Sequence, residues 1–474
     1  MKILIYIIPL IFVGFVSCSD FLDYKDKDKV IPDELVQYSE LIGGELIDKS
    51  SSSACYNVLL MSDDVGTFIY PYGVGEETRT AYFSWYTWAQ ETQITPEGDE
   101  KIDPAWEFLY HKILMCNVIE NDVNAFEDDL DGVKRRLLGE VQAIRAMSYW
   151  YLVNMFGEPY RNVEQAKTAM GVPVNMESSI IDKIYERESL QTIYDLMEKD
   201  LKSALLNLKA GEQKKTIFRP NQDIVRLFLS RIYLEEKRYD DVIAICDTML
   251  KETTKTIVSL NEMKIYASSS NAFLNKNNES MLFTWWTRDA ISGFNESYNT
   301  ARYAPSEDLV ALYANGDVRN ASNFAWNYDK HLMKFNSNYS GCYGMNYRVE
   351  EIYFNRAEAY IESGEWQLGM QDLNKIYAQR VENEYLEAQN VEQARELLRL
   401  EKRKEFCFED IRWFDIRRWG LSVEHKYYDY NNATQYVTYV LEANSPNYIL
   451  PVPLDVQRRN SLIELPKRVE IKAK

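Results

Sequence analysis

RIYLEEKRYDDVI (231–243) and EAYIESGEWQLGM (358–370) are two versions of one pattern, offset by 127 residues. Tyr233 falls on Tyr360, Glu235 on Glu362 and Tyr239 on Trp366. Each reads as a helix, a short turn and a second helix, with a ring closing the first helix and another opening the second. Neither helix can bury its apolar face alone, which is the packing logic of tetratricopeptide-like repeats. The same grammar extends outward. Asp103-Pro104 supplies an N-cap and a first-turn proline ahead of Trp106, Leu109, Ile113, Cys116 and Ile119 at helical spacing, predicting a helix to about residue 124. A partner begins near Gly132, carries Leu138, Val141, Ile144 and Met147, and stops at Gly157 with Pro159 beyond; the two should pack antiparallel. Ser189 opens a third helix that Gly211 closes, and Asn221 to Glu236 follows as its partner. The fold class expected is all-α, a scaffold of tetratricopeptide-like helix pairs.

Composition narrows the function. Across 474 residues, 73 Asp and Glu against 54 Lys and Arg give a net charge of −19, which repels polyphosphate and argues against nucleic-acid binding. Three scattered histidines, with no HExxH motif and no CxxC pair, lack the usual ligand spacings for zinc, and no cofactor is called for.

Lys2 precedes an apolar run from Ile3 to Val16 and then Ser17-Cys18-Ser19-Asp20. The run is too short to span a bilayer and reads as an export signal. A small residue followed by Cys resembles the lipobox of bacterial lipoproteins. Residues 1–17 are therefore expected to be a signal peptide, Cys18 the acylated anchor, and residues 18–30 a tether. FLDYKDKDK (21–29) lacks the Gly and distal Glu of an EF-hand calcium loop and reads as solvated tether. Of the remaining cysteines, Cys116, Cys246 and Cys407 lie in helical patterns and read as buried thiols.

Between the helices, roughly 61–102, 252–349 and 421–450 read as long irregular stretches, and loops that long are usually functional. Residues 68–88 hold eight aromatic side chains, about three times the 13% of the whole chain.

RRLLGEVQAIRAMSYWYLVNMFGEPY (135–160) resembles the hallmark of the SusD-like (SusD/RagB) outer-membrane lipoprotein family. Gly139, Glu140, Arg145, Ala146, Tyr149, Leu152, Phe156, Gly157 and Pro159 fall into its pattern. WEFLYHKILMCNVIEND (106–122), APSEDLVALYANGDVRN (304–320), YRVEEIYFNRAEAYIESG (347–364), LEKRKEFCFEDIRWFDIRRWG (400–420) and NYILPVPLDVQRRN (447–460) follow in the family's order. The resemblance implies one SusD-like helical domain over 31–474, with an N-terminal part of about 31–250 and a C-terminal part of about 275–474, whose irregular loops carry the ligand site. It also implies a non-enzymatic lipoprotein on the extracellular face of the outer membrane, which binds oligosaccharide or another nutrient and caps a SusC-like TonB-dependent transporter.

Sugar rings pair an apolar face with a rim of hydroxyls, so a binder needs flat aromatic surfaces with polar groups beside them. Trp85, Tyr86, Trp88, Trp285, Trp286, Tyr298, Trp326 and Tyr328 form the pool from which stacking residues are expected, with core packing the competing use of each. Glu140, Arg145, Glu401, Arg403, Glu405, Asp415, Arg417 and Arg418 alternate in sign and read as paired structural charges tying the C-terminal segment to the scaffold. Two alternatives are a helical-repeat scaffold that binds only proteins, and a surface glycoside hydrolase, which would need two carboxyl groups about 5 to 9.5 Å apart.

Overall fold

A computed structural model describes residues 32–47, 56–67, 76–127, 131–181, 183–213, 216–260, 273–274, 277–285, 303–313, 316–321, 345–429 and 432–474. The principal helices are α1 (Glu76–Tyr86), α2 (Ala105–Ala125), α3 (Val133–Phe156), α4 (Leu190–Ala210), α5 (Gln222–Glu235), α6 (Tyr239–Glu252), α7 (Val349–Glu362), α8 (Trp366–Tyr377), α9 (Val391–Phe406) and α10 (Arg412–Trp419). Their ends carry the expected chemistry. Ser189 accepts from the Thr192 amide at 3.2 Å, Asn221 from Ile224 at 3.0 Å and Asn390 from Gln393 at 2.9 Å, each such cap contributing about 1 kcal/mol. Asp103 accepts from the Ala105 amide at 2.7 Å.

Helices α2 to α9 stack in chain order, each packed on the next. Side-chain bonds fix the antiparallel sense of α2 and α3: Lys134 reaches the Phe126 carbonyl, Gln142 donates to Glu120, and Arg145 donates to Asn117. Helix α3 lies at the centre, with 20 of its 24 residues buried, so it must contact neighbours on every side. Gly139 permits this. A Cβ there would sit 2.7 Å from Leu208 Cγ and 3.0 Å from the Leu208 amide nitrogen, so α4 could not approach as closely with any larger residue. One core cluster runs from Tyr38 to Ile463, and Cys116, Cys246 and Cys407 are buried.

The two echoed segments adopt the same turn. Between α5 and α6, the Arg238 amide donates to the Tyr233 carbonyl at 2.8 Å; between α7 and α8, the Glu365 amide donates to Tyr360 at 2.8 Å. Lys237 and Gly364 occupy the equivalent left-handed position, with φ of 59° and 92°.

Charged side chains lock the stack together and join the C-terminal segment to it, although Glu140 and Arg145, expected to tie that segment, bond within the stack, Glu140 to Arg136 at 3.1 Å and to Arg219. Arg145 bonds Asp200 at 2.6 and 2.7 Å and also pairs with Glu120. Arg418 bonds Glu358 at 2.5 and 2.8 Å, and Arg417 donates to Asn154 at 3.1 Å and to the Gly157 carbonyl at 2.5 Å. Glu405 is fully enclosed by Arg380, Arg348 and Arg319 at 2.8, 3.0 and 3.3 Å. Burial alone would raise its pKa, but the three guanidinium groups outweigh burial and hold the carboxyl well below the usual range.

The stretches expected to be irregular contain structure. Helix α1 lies within 61–102, and among the described residues three two-stranded antiparallel sheets join β1 (Val65–Thr67) to β3 (Tyr303–Pro305), β2 (Met281–Trp285) to β4 (Met345–Arg348), and β5 (Val423–Asp429) to β6 (Asn432–Leu441). The alternation in NATQYVTYVL, rich in β-branched and aromatic residues, is the strand signal that a reading based on helical period passes over. Among the described residues, no helix is long and apolar enough to cross a membrane.

Candidate functional site

The β5–β6 hairpin turns one face inward. His425 pairs with Tyr439 and Tyr427 with Val437 on that face, and Phe83 of α1 wedges edge-on between Tyr427 (centroids 4.9 Å) and Tyr439 (5.8 Å). The His425 ring is sandwiched between Tyr86 at 4.1 Å and Trp88 at 4.2 Å. Its Nδ1 lies 2.7 Å from the Tyr86 carbonyl and its Nε2 2.9 Å from that of Ser62. Burial pushes its pKa down to about 4, against the pull of the two carbonyls. This inner stack pins the hairpin to the scaffold.

The outer face presents Glu424, Lys426 and Tyr428, with Tyr428 directly opposite Tyr436. Thr67 docks this strand beside β1 and β3: its hydroxyl donates to the Lys426 carbonyl at 2.8 Å and accepts from the Tyr428 amide at 3.2 Å. Between the strands lies a notch of about 50 Å³, floored by Tyr86 and His425 and rimmed by Ser306, Glu307, Asp308, Glu424, Lys426 and Tyr428. A space of that size holds water or a single ligand group, so the binding area is the surface around it. Tyr428 and Tyr436 stand 5.2 Å apart at 59°, and Tyr436 is 48% exposed. The Lys426 ammonium lies 5.3 Å above the Tyr436 ring, and the Tyr428 hydroxyl donates to Glu307 at 3.4 Å. Half-exposed rings beside solvated carboxylates and hydroxyls can stack an apolar ring face and accept hydrogen bonds from its hydroxyls.

The structure corrects four of the expected stacking residues. Trp85, Tyr86, Trp88 and Trp285 are 0–1% exposed. Trp88 donates its indole N–H to the Met61 carbonyl at 2.9 Å, Trp285 to Leu46 at 2.8 Å, and Tyr86 its hydroxyl to Lys426 at 3.0 Å. Rings buried to this degree have no face for a ligand; the polar atoms of Trp88, Trp285 and Tyr86 serve the backbone, and the Trp85 indole N–H is buried without a hydrogen-bond partner among the described residues. In the same run, Tyr82 and Phe83 are the half-buried rings among the described residues. Trp286, Tyr298, Trp326, Tyr328 and Cys18, with the signal and tether segments, lie outside the described residues. Thr67, which lines the notch, pairs with Tyr303 across the small sheet. Tyr427, Tyr428, Tyr436 and Tyr439 were not in the expected pool, although they fall within 421–450, a stretch expected to be functional. A second, larger cleft of about 720 Å³ lies by Phe218, Gln222, Asp223, Arg226, Glu252 and Lys255. Its Arg226 and Glu252 pair at 2.7 Å, and Phe218 is its only aromatic lining residue among those described.

Residues 20–234 match a family model described as starch-binding associating with outer membrane, and residues 213–463 match the SusD family model. A SusD-like protein, P25, from Formosa agariphila is 20% identical over 220 residues; the aligned stretch is 46% of this chain and only 38% of that protein's length. Among solved structures, a SusD superfamily protein from Bacteroides thetaiotaomicron superposes with a TM-score of 0.72 at 19% identity, covering 92% of this chain and 98% of the other. A SusD-like carbohydrate binding protein from Bacteroides vulgatus gives 0.68 at 17% identity, covering 91% and 97%. At such identities the superpositions speak for the fold, while the second family model alone spans more than half of the sequence. With the helix stack, the echoed turns and the ordered motifs in agreement, the chain belongs to the SusD family.

Proposed function

We propose that the protein is a glycan-binding lipoprotein of the outer membrane's extracellular face, a single domain over 31–474 held by acyl chains on Cys18 after removal of residues 1–17. It captures oligosaccharide and delivers it, uncleaved, to a SusC-like TonB-dependent transporter. The observation that carries the binding reading is the strip of half-exposed tyrosines beside a carboxylate-rimmed notch, set on a scaffold whose relatives include a carbohydrate binding protein. Trp286, Tyr298, Trp326 and Tyr328 complete the proposed stacking set. Capture without cleavage accords with the setting of the acids. Hydrolysis needs a carboxyl held protonated by its surroundings, yet Glu307, Asp308 and Glu424 stand exposed. The carboxyls that burial raises, among them Asp103 to about 6 and Glu235 and Asp410 to about 7, do not line the notch.

The test is retention on affinity gels of soluble starch and a panel of other polysaccharides. Tyr428→Ala and Tyr436→Ala should each weaken binding by about 1 kcal/mol, or roughly five-fold, with far-UV circular dichroism unchanged. Unaltered retention in both variants removes the notch from the site. Cys18→Ala should move the protein from the membrane fraction to the soluble fraction, and continued sedimentation with membranes contradicts the anchor.

A further inference from the structure

We infer that this notch discriminates by ligand charge, favouring uncharged glycans over those carrying carboxylate or sulfate groups. The inference rests on the glycan-binding reading above and adds a ligand class to it. Three side chains at the rim, Glu307, Asp308 and Glu424, are exposed carboxylates, and the single cation among its described lining residues is Lys426. The ammonium of Lys426 is drawn over the Tyr436 ring at 5.3 Å, where the π face shares its charge. Glu307 accepts from the Tyr428 hydroxyl at 3.4 Å, which sets a negative charge at the edge of a ring expected to stack the sugar. A uronic acid or sulfate ester seated there would face a local excess of two negative charges within a chain of net charge −19. A neutral ring meets the same carboxylates as hydrogen-bond acceptors for its hydroxyls. Two excess charges at about 5 Å in water, moderately screened, reduce the affinity of an anionic residue about ten-fold at low salt.

The experiment compares polymers that share a backbone and differ in charge: soluble starch with carboxymethyl starch, hydroxyethyl cellulose with carboxymethyl cellulose, and dextran with dextran sulfate. Affinity electrophoresis or calorimetry uses the full soluble protein. The expected result is that, within any retained pair, the uncharged member binds about ten-fold more tightly at 50 mM salt. That ratio should shrink towards one at 0.5 M salt and in the triple variant Glu307→Gln, Asp308→Asn, Glu424→Gln. Equal or tighter binding of the anionic member, still weakened roughly five-fold by Tyr428→Ala, overturns the charge preference while leaving the notch as the site. A ratio that the triple variant does not change also overturns it, because the discrimination then comes from the chain's overall charge. Failure of every polymer in the panel to bind overturns the glycan reading itself, and this inference with it.

Discussion

Residues 84–88 and 427–439 are both dense in aromatic residues, yet they end in opposite environments. In the first, Trp85, Tyr86 and Trp88 are sealed in the core, where Tyr86 and Trp88 donate their polar hydrogens to backbone carbonyls and the Trp85 indole N–H is buried without a hydrogen-bond partner among the described residues. In the second, Tyr427 and Tyr439 grip Phe83 from one side of a hairpin while Tyr428 and Tyr436 face outward. Aromatic density marks where large rings are used but not which way they point. In a strand, alternation sends successive residues to opposite faces, so one hairpin can clamp the scaffold and display rings together. The most severe way to break the comparison is Trp88→Ala. Removing a fully buried indole that stacks on His425 should cost about 3–5 kcal/mol of stability, read as a lower midpoint in urea. Tyr436→Ala, at a half-exposed site, should change stability by less than about 0.5 kcal/mol while weakening glycan retention. The distinction between the two regions fails if Trp88→Ala leaves the urea midpoint in place and abolishes retention.

A second contrast concerns the echoed acids. Glu362 is partly exposed and bonds Arg395 at 2.6 Å. Its counterpart Glu235 is buried, its Oε2 has no hydrogen-bond partner, and the Arg418 guanidinium is 4.0 Å away. Burial pushes Glu235 up to about 7, a rise that Asp415 and Glu358 support and Arg418 and Arg417 only partly offset. Because the folded pKa lies above the unfolded value of 4.5, the folded state binds the extra proton. The associated stability is fully present below pH 4.5 and is lost as pH rises to about 7. The loss amounts to about 3 kcal/mol. Glu235→Gln should therefore reduce the slope of that part of the stability profile, to which Asp103 and Asp410, raised by burial to about 6 and about 7, also contribute, and leave the variant more stable than the parent at pH 8. Glu362→Gln should leave the slope in place. A parental slope retained in Glu235→Gln would assign it to another group.

The helix boundaries and the repeat were legible in the sequence because they are set locally. Ser189, Asn221, Gly157 and Gly211 act through their own turn of backbone, and the ring–turn–ring pattern fixes the α5–α6 and α7–α8 corners. The charged residues of α9 and α10 were legible as structural because their signs alternate. The candidate site was legible only as a neighbourhood. Whether Trp88 or Tyr82 reaches solvent depends on what packs over the run, and the residues on Trp88, Met61 and His425, come from a turn 27 residues upstream and a hairpin more than 300 residues downstream. Helical period could not disclose the hairpin either, since its information is carried at a period of two.

The smallest expected effect probes the feature on which the echoed units agree most closely. Lys237 and Gly364 both adopt positive φ, 59° and 92°, immediately after a helix. The left-handed conformation costs an L-residue with a Cβ roughly 1 kcal/mol, whereas glycine adopts it freely. Lys237 is exposed, so Lys237→Gly should stabilise the protein by up to about 1 kcal/mol, seen as a small rise in Tm. Gly364→Lys should cost at least as much, because its φ lies farther from the left-handed minimum. Opposite signs from this pair of exchanges would establish that the two turns are one structural unit whose sequences have diverged at the position where glycine matters. A loss of stability in Lys237→Gly would instead mean that the lysine side chain contributes more to the first corner than its backbone strain costs.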